Sequence, residues 1–218
     1  MAIRRVLIHR KNVLAPRLES LILNRMSYMS PTMRALLSER GNFFWTVPNV
    51  YSRSECEALV ARIDAAGPAL APVTTARGPV IRPDIRTNER VMFDDLDLAQ
   101  GLFHRVAPHL PGELAGRPLH GTNPRFRGYR YKPGQAFKPH YDGSYRKSET
   151  MESELTLLLY LNESFAGGET RFLDIETDVH PRTGSVLLFA HRVLHEGAEV
   201  VSGTKYVLRS DVMYGTDT

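Results

Sequence analysis

The run Leu155-Thr156-Leu157-Leu158-Leu159-Tyr160-Leu161 is apolar on both faces of a two-residue repeat. A short segment with no polar face cannot border water, so it reads as a central strand of a sandwich. The rest of the second half agrees. Beyond Pro118, short segments with strand patterning alternate with turns: Phe126–Tyr131, Thr170–Phe172, Ser185–Phe189 and Tyr206–Tyr214. The first half reads differently. Phe43–Val47 is aromatic and β-branched, hence a strand, and Ser52 or Ser54 caps an amphipathic helix over Glu55–Ile63. A helical period recurs through Leu98, Leu102, Val106 and Leu110, while the proline and glycine between Gly67 and Pro83 mark a loop. Helices first and an antiparallel, strand-rich half afterwards predict an α+β fold. Its core is expected to be a double-stranded β-helix, or jelly roll, with N-terminal helices packed on it.

Residues 1–40 are expected to form a basic, helical extension outside the main fold, interrupted at Ser30-Pro31 and closed by Gly41; residues 41–218 are the main domain. The first eighteen residues hold Arg4, Arg5, Arg10, Lys11 and Arg17 and no acid, so much of the positive excess behind the net charge of +4 is local to them. An organelle-targeting segment would share that bias, but serine is scarce here. The lone Cys56 cannot form an internal disulfide and sits in a helical pattern as a small buried residue, so a reducing, cytoplasmic compartment is expected. No stretch reaches the apolar length of a membrane span.

The chemistry centres on His140-Tyr141-Asp142. In extended backbone alternate side chains share a face, so an imidazole and a carboxylate converge. Adding one imidazole gives the two-histidine, one-carboxylate set that leaves open positions on iron(II). His195 and His191, in His191-Arg192-Val193-Leu194-His195, compete for that role. His9, His104, His109, His120 and His180 lack partners.

Four blocks occur in order: Tyr131-Lys132-Pro133-Gly134-Gln135 before His140 and Asp142; Tyr160-Leu161-Asn162; Gly167-Gly168-Glu169-Thr170; and His195 followed by Gly203-Thr204-Lys205. With these blocks residues 125–214 resemble the prolyl 4-hydroxylase-like branch of the iron(II)/2-oxoglutarate dioxygenases. The resemblance implies His140, Asp142 and His195 as metal ligands, with His195 preferred over His191 by its ten-residue spacing to Lys205. It implies Lys205 as the anchor for the far carboxylate of 2-oxoglutarate, and hydroxyl contacts to that cosubstrate from Tyr131 and Thr156. Strand alternation adds Tyr160, which shares a face with Thr156 and Leu158. The implied reaction consumes dioxygen and 2-oxoglutarate, hydroxylates an unactivated C–H bond and releases succinate and carbon dioxide, with ascorbate as a supporting reductant. Asp142 keeps the carboxylate that halogenases of this class replace.

The substrate end is less defined. If Lys205 faces the interior, Val207, Arg209 and Asp211 face it too. Two charges there depart from the family pattern: they pair with each other, or Arg209 takes a carboxylate of substrate or cosubstrate. Arg86, Asn88 and Arg90 share one extended face and could line the pocket mouth, as could Asn123, Arg125 and Arg127. Gly143–Ser148 reads as a loop able to close over substrate. An amino acid, a prolyl peptide or a small natural-product intermediate is the expected substrate. The alternatives are a non-catalytic jelly-roll binding module and a nucleic-acid demethylase of the same chemistry. The lysine anchor and the Gly-Gly-Glu-Thr block weigh against a nucleic-acid partner, and nothing in the sequence sets the oligomeric state.

Overall fold

The computed structural model describes residues 29–75 and 78–217. The basic N-terminal run, and with it the targeting alternative, lies outside the described residues. Among the described residues three α-helices precede most of the strands: α1 (Pro31–Arg40), α2 (Arg53–Ala65) and α3 (Leu96–Val106). Each starts where a side chain satisfies otherwise unpaired helix N–H groups. Ser30 accepts from the Met33 N–H, Ser52 and Glu55 form a capping box, and Asp95 accepts from the Leu98 N–H. Ser30-Pro31, expected as an interruption, is therefore a helix start, with proline where the missing N–H costs nothing. Gly41, at φ 68°, closes α1 in the left-handed conformation and donates its N–H to the Leu37 carbonyl. Helix α1 is not detached from the main fold. Leu36 is fully buried in the common core, and the Thr32 hydroxyl donates to Glu154.

The strands that build the core and the site are β1 (Phe44–Val47), β2 (Glu89–Asp94), β3 (Arg125–Tyr131), β4 (Phe137–His140), β5 (Met151–Tyr160), β6 (Thr170–Phe172), β7 (Thr177–Val179), β8 (Val186–Ala190), β9 (His195–Gly197) and β10 (Lys205–Gly215). The larger sheet runs β1-β8-β5-β10-β3-β2 and ends on the short strand Ala69–Leu70. β10 also pairs with Arg117–Thr122. The smaller sheet runs β7-β6-β9-β4, and every pairing is antiparallel. The all-apolar run lies in β5, flanked by β8 and β10, with Leu155, Leu157 and Leu159 fully buried. The sheets meet through aromatic side chains: Phe172 of β6 stacks on Phe44 of β1 at 4.4 Å and meets Phe189 of β8 edge-on at 5.3 Å. Two facing antiparallel sheets over one core are compatible with a jelly roll.

The proline- and glycine-rich stretch expected as a loop instead carries Ala69–Leu70 and a hairpin of Val73–Thr75 with Gly78–Val80. These strands, like β4, β7 and β9, are only two to four residues long. So short a segment shows no periodicity by itself; pairing with a partner creates it. Cys56 is buried in α2, and burial pushes its thiol up to about 11, which suits packing rather than reaction. Among the described residues no helix is long and apolar enough to cross a membrane.

One close approach docks α2 on the larger sheet. A Cβ on Gly128 of β3 would lie 2.6 Å from Ile63 Cγ1, and Ile63 is fully buried. Gly128→Ala is therefore expected to cost about 1–3 kcal/mol through overpacking. Urea denaturation would measure the loss, and an unchanged midpoint would show that the contact yields freely.

Candidate active site

Strand register brings the two imidazoles together. His195 opens β9 directly opposite His140, the last residue of β4. Directly opposed residues project to the same side, and the two rings lie 4.3 Å apart. Each ring is fixed by its own turn: His140 Nδ1 lies 2.8 Å from the Lys138 carbonyl and His195 Nδ1 lies 2.9 Å from the Val193 carbonyl. A carbonyl only accepts, so both Nδ1 atoms carry the proton and both Nε2 atoms present a lone pair. Phe137 stacks on His140 at 3.5 Å, and Phe189 packs 4.6 Å from His195.

Asp142 completes the group. Its Oδ1 lies 3.8 Å from His140 Nε2 and its Oδ2 lies 3.6 Å from His195 Nε2. The candidate ligand atoms of His140, Asp142 and His195 all fall within 4.8 Å of one another. The charge states suit a metal. Burial and then the neighbouring His195 push His140 down to about 3, and burial lowers His195 as well, so both rings are neutral near pH 7. Burial alone would raise Asp142, but the Arg209 guanidinium, with the Thr156 hydroxyl, holds it below the usual carboxylate range. Two neutral nitrogens and an ionised carboxylate, nearly all withdrawn from water, fit iron(II) as a facial set.

His191 is not part of that set. Its ring is held by side chains on both sides, Nδ1 at 2.9 Å from Thr156 Oγ1 and Nε2 at 2.9 Å from Ser153 Oγ. Thr156 donates to Asp142 Oδ2 at 2.6 Å. The hydroxyl must then accept from His191 Nδ1–H, and His191 Nε2 in turn accepts from the Ser153 hydroxyl. The backbone joins the same network, since the Asp142 N–H donates to the His191 carbonyl. Thr156, which the resemblance implies at the cosubstrate, has its hydroxyl bonded to both Asp142 and His191. Alternation correctly put Thr156 inside, but its partners come from two turns whose paths the sequence pattern does not encode.

Lys205 is buried at the start of β10, directly opposite Tyr131 of β3. Its Nζ donates to the Gly168 carbonyl at 2.6 Å and lies 5.2 Å from the centre of the Tyr131 ring. No carboxylate among the described residues is within ion-pair distance of it. Burial, opposed by Glu169, lowers it to about 8. Such a cation suits an anion supplied from outside. Tyr131, Lys205, His140, Asp142, His195 and Arg209 line one cleft, together with Tyr129, Phe137 and Leu158. Tyr160 stands back from the cleft, its hydroxyl 2.7 Å from Thr170 Oγ1.

The charged residues sort into several places. Arg209 Nη1 contacts Asp142 Oδ1 at 3.1 Å and Nη2 contacts Asp211 Oδ1 at 3.2 Å, while Arg127 reaches Asp211 Oδ2 at 3.3 Å. Pairing between Arg209 and Asp211 is thus present, alongside a contact to the metal-ligand carboxylate. Arg86 lies over Tyr129 and Phe137 and donates to Asn88 Oδ1 at 2.7 Å. Asn88 is fully buried and donates to the Glu89 carbonyl, so it is not at the pocket mouth. Arg125 pairs with Asp94 at an exposed edge, outside the site. Residues 143–148 are tied to β5: the Tyr145 carbonyl accepts from the Ser153 N–H and the Lys147 N–H donates to the Met151 carbonyl.

Residues 126–210 match the model of the 2OG-Fe(II) oxygenase superfamily, a segment that holds all three candidate ligands and Lys205. Prolyl 4-hydroxylase 1 of Arabidopsis thaliana is 27% identical over 191 residues, covering 71% of this chain. A protein of Acanthamoeba polyphaga mimivirus, whose description also names a prolyl 4-hydroxylase, is 34% identical over 96 residues, covering 36% of this chain. This chain spans 63% and 40% of the lengths of those two relatives. In fold it is similar to a Trichoplax adhaerens prolyl hydroxylase solved with a hypoxia-inducible-factor peptide fragment, at TM-score 0.60 and 18% identity over 87% of this chain and 91% of that one. Over residues 126–210 this chain is thus similar to 2OG-Fe(II) oxygenases, and its sequence relatives are described as prolyl 4-hydroxylases.

The Thr156 network yields a test. Thr156→Val keeps the shape but leaves Asp142 without its short hydrogen bond, and outer partners of this kind are worth about 10–100-fold in metal affinity. Competition with a chelator for iron(II) is expected to show a weakening in that range with the melting behaviour retained. Equal affinity in variant and parent would mean that Asp142 is held without Thr156.

Proposed function

We propose that this protein is an iron(II)- and 2-oxoglutarate-dependent dioxygenase that hydroxylates an unactivated C–H bond of an amino acid, a prolyl peptide or a small natural-product intermediate. One observation carries the reading: a neutral His140–His195 pair and an ionised Asp142 converge on one point, in the same cleft as a buried lysine that has no carboxylate partner among the described residues. His140 Nε2, His195 Nε2 and the Asp142 carboxylate would hold the metal. Lys205 would take the far carboxylate of 2-oxoglutarate, with the Tyr131 hydroxyl beside it. When bound, iron(II) and 2-oxoglutarate supply the oxidising chemistry with dioxygen, releasing succinate and carbon dioxide.

The chain's own part is to bind, orient and exclude water. The carbonyls of Lys138 and Val193 keep both imidazoles in the metal-binding tautomer. The stacked Phe137 and the buried Phe189 shield the rings from solvent. Thr156 and Arg209 hold Asp142 ionised, so no protein group has to gain or lose a proton for the ligands to be ready.

Two measurements test the reading. Succinate formation with iron(II), 2-oxoglutarate and ascorbate, screened over free amino acids and proline-containing peptides, is expected in the parent and absent in His195→Ala and Asp142→Ala. Absence of both 2-oxoglutarate binding and turnover in iron-loaded protein would refute it. The lysine adds a pH signature. Lys205 binds an anion only as the ammonium and loses its proton at about 8 in the free protein. Affinity for 2-oxoglutarate is therefore expected to be flat below that pH and to fall roughly tenfold per pH unit above it. A flat profile to pH 10 would place the cosubstrate anchor elsewhere.

A further inference from the structure

The inner face of the larger sheet can be followed across its strands, because directly opposed residues project to the same side. Lys205 stands opposite Tyr131, Val207 opposite Tyr129, and Arg209 opposite Arg127. On the next strand Arg90 stands opposite Tyr129. Arg90, Arg127 and Arg209 therefore share the face that bears Lys205, and Arg86 adds a fourth guanidinium over the Tyr129 ring at 4.7 Å.

The negative charge available to these four is small. Asp211 is shared between Arg127 and Arg209, and Asp142 belongs to the metal-ligand set. Arg86 donates to the neutral Asn88, and both Arg86 and Arg209 interact with the Tyr129 hydroxyl, but Arg86 Nη2 and Arg209 Nε are buried with no hydrogen-bond partner among the described residues. Arg90 has no ion pair among the described residues. Burial, together with the guanidiniums of Arg86, Arg127 and Arg209 and against Tyr129, lowers its hold on its proton. Recessed like charges of this kind oppose folding unless an anion joins them.

We propose that this arginine cluster receives the carboxylate of the primary substrate, and that the substrate is a small organic acid such as a free amino acid. The inference rests on the oxygenase reading of the same cleft and deepens it. The cosubstrate does not account for the cluster: its far carboxylate goes to Lys205, and Arg90 and Arg127 lie on the strands between β10 and the far edge of the sheet. The recess also favours a small acid. Arg86 is only 5% exposed and the Arg209 side chain 13%. A terminal carboxylate can reach them, whereas the backbone of a residue inside a peptide has none to offer. Guanidinium forks match carboxylate oxygens in pairs, a geometry that lysine would not give.

The test compares acids with their amides. Succinate formation by the iron-loaded protein is measured over free L-amino acids, the matching amino-acid amides, and capped peptides containing the same residues. At least one free acid is expected to raise turnover above the substrate-free rate, with its amide at least tenfold poorer in kcat/KM. Arg90→Leu and Arg127→Leu are expected to raise KM for that acid at least tenfold while 2-oxoglutarate affinity, read by calorimetry without oxygen, stays within twofold. Arg90→Leu should also melt no lower than the parent, because it removes a repelled charge; a purely structural arginine would lower the melting temperature. Stimulation by none of the acids, equal use of acid and amide or capped peptide, or a loss confined to 2-oxoglutarate affinity would each overturn the proposal. Because 2-oxoglutarate binding is read separately, these failures are distinct from failure of the oxygenase reading itself.

Discussion

The Asp142 carboxylate, removed from water and kept ionised, is the constraint on which the site depends. A lone buried carboxylate would take up a proton, since desolvation disfavours its charge. Here the charge is maintained by Arg209 on one oxygen and the Thr156 hydroxyl on the other, with two imidazoles nearby. Those contacts come from four strands of two sheets, so the carboxylate is also the point where the sandwich is tied together. His191 belongs to the same bond network, joining Asp142 through Thr156 and reaching Ser153 beyond.

The division of work between the sheets follows from strand register. The smaller sheet places His140 and His195 face to face, and the larger carries Lys205, the arginines and Thr156. Lys205 and Arg209 lie four residues apart on β10, roughly 13 Å at about 3.3 Å per residue. One strand thus presents two cations in the cleft, Lys205 near Tyr131 and Arg209 beside the candidate ligand Asp142. A rigid central strand is a better base for such a pair than a loop.

Much of this was legible in the sequence, for local reasons. His140 and Asp142 sit two residues apart, and Lys205, Val207, Arg209 and Asp211 follow strand alternation, so their shared orientation needs no knowledge of the fold. What was not legible depends on partners distant in the chain. Thr156 meets Asp142 and His191 only because two turns fold over β5, and Asn88 is enclosed by residues that no local pattern identifies. Ser30-Pro31 misled in another way: proline breaks a helix in its interior but starts one at its first turn. The short strands β4, β7 and β9 are defined by pairing rather than by propensity.

His140, Asp142, His195 and Lys205 would together form a single site for a metal and a dicarboxylate. Calorimetric titration of 2-oxoglutarate into oxygen-free protein, with and without iron(II), tests it most directly. One site per chain is expected, dependent on the metal and lost in Lys205→Met and His140→Ala alike. Binding of equal strength without metal, or binding that survives loss of either residue, would contradict it.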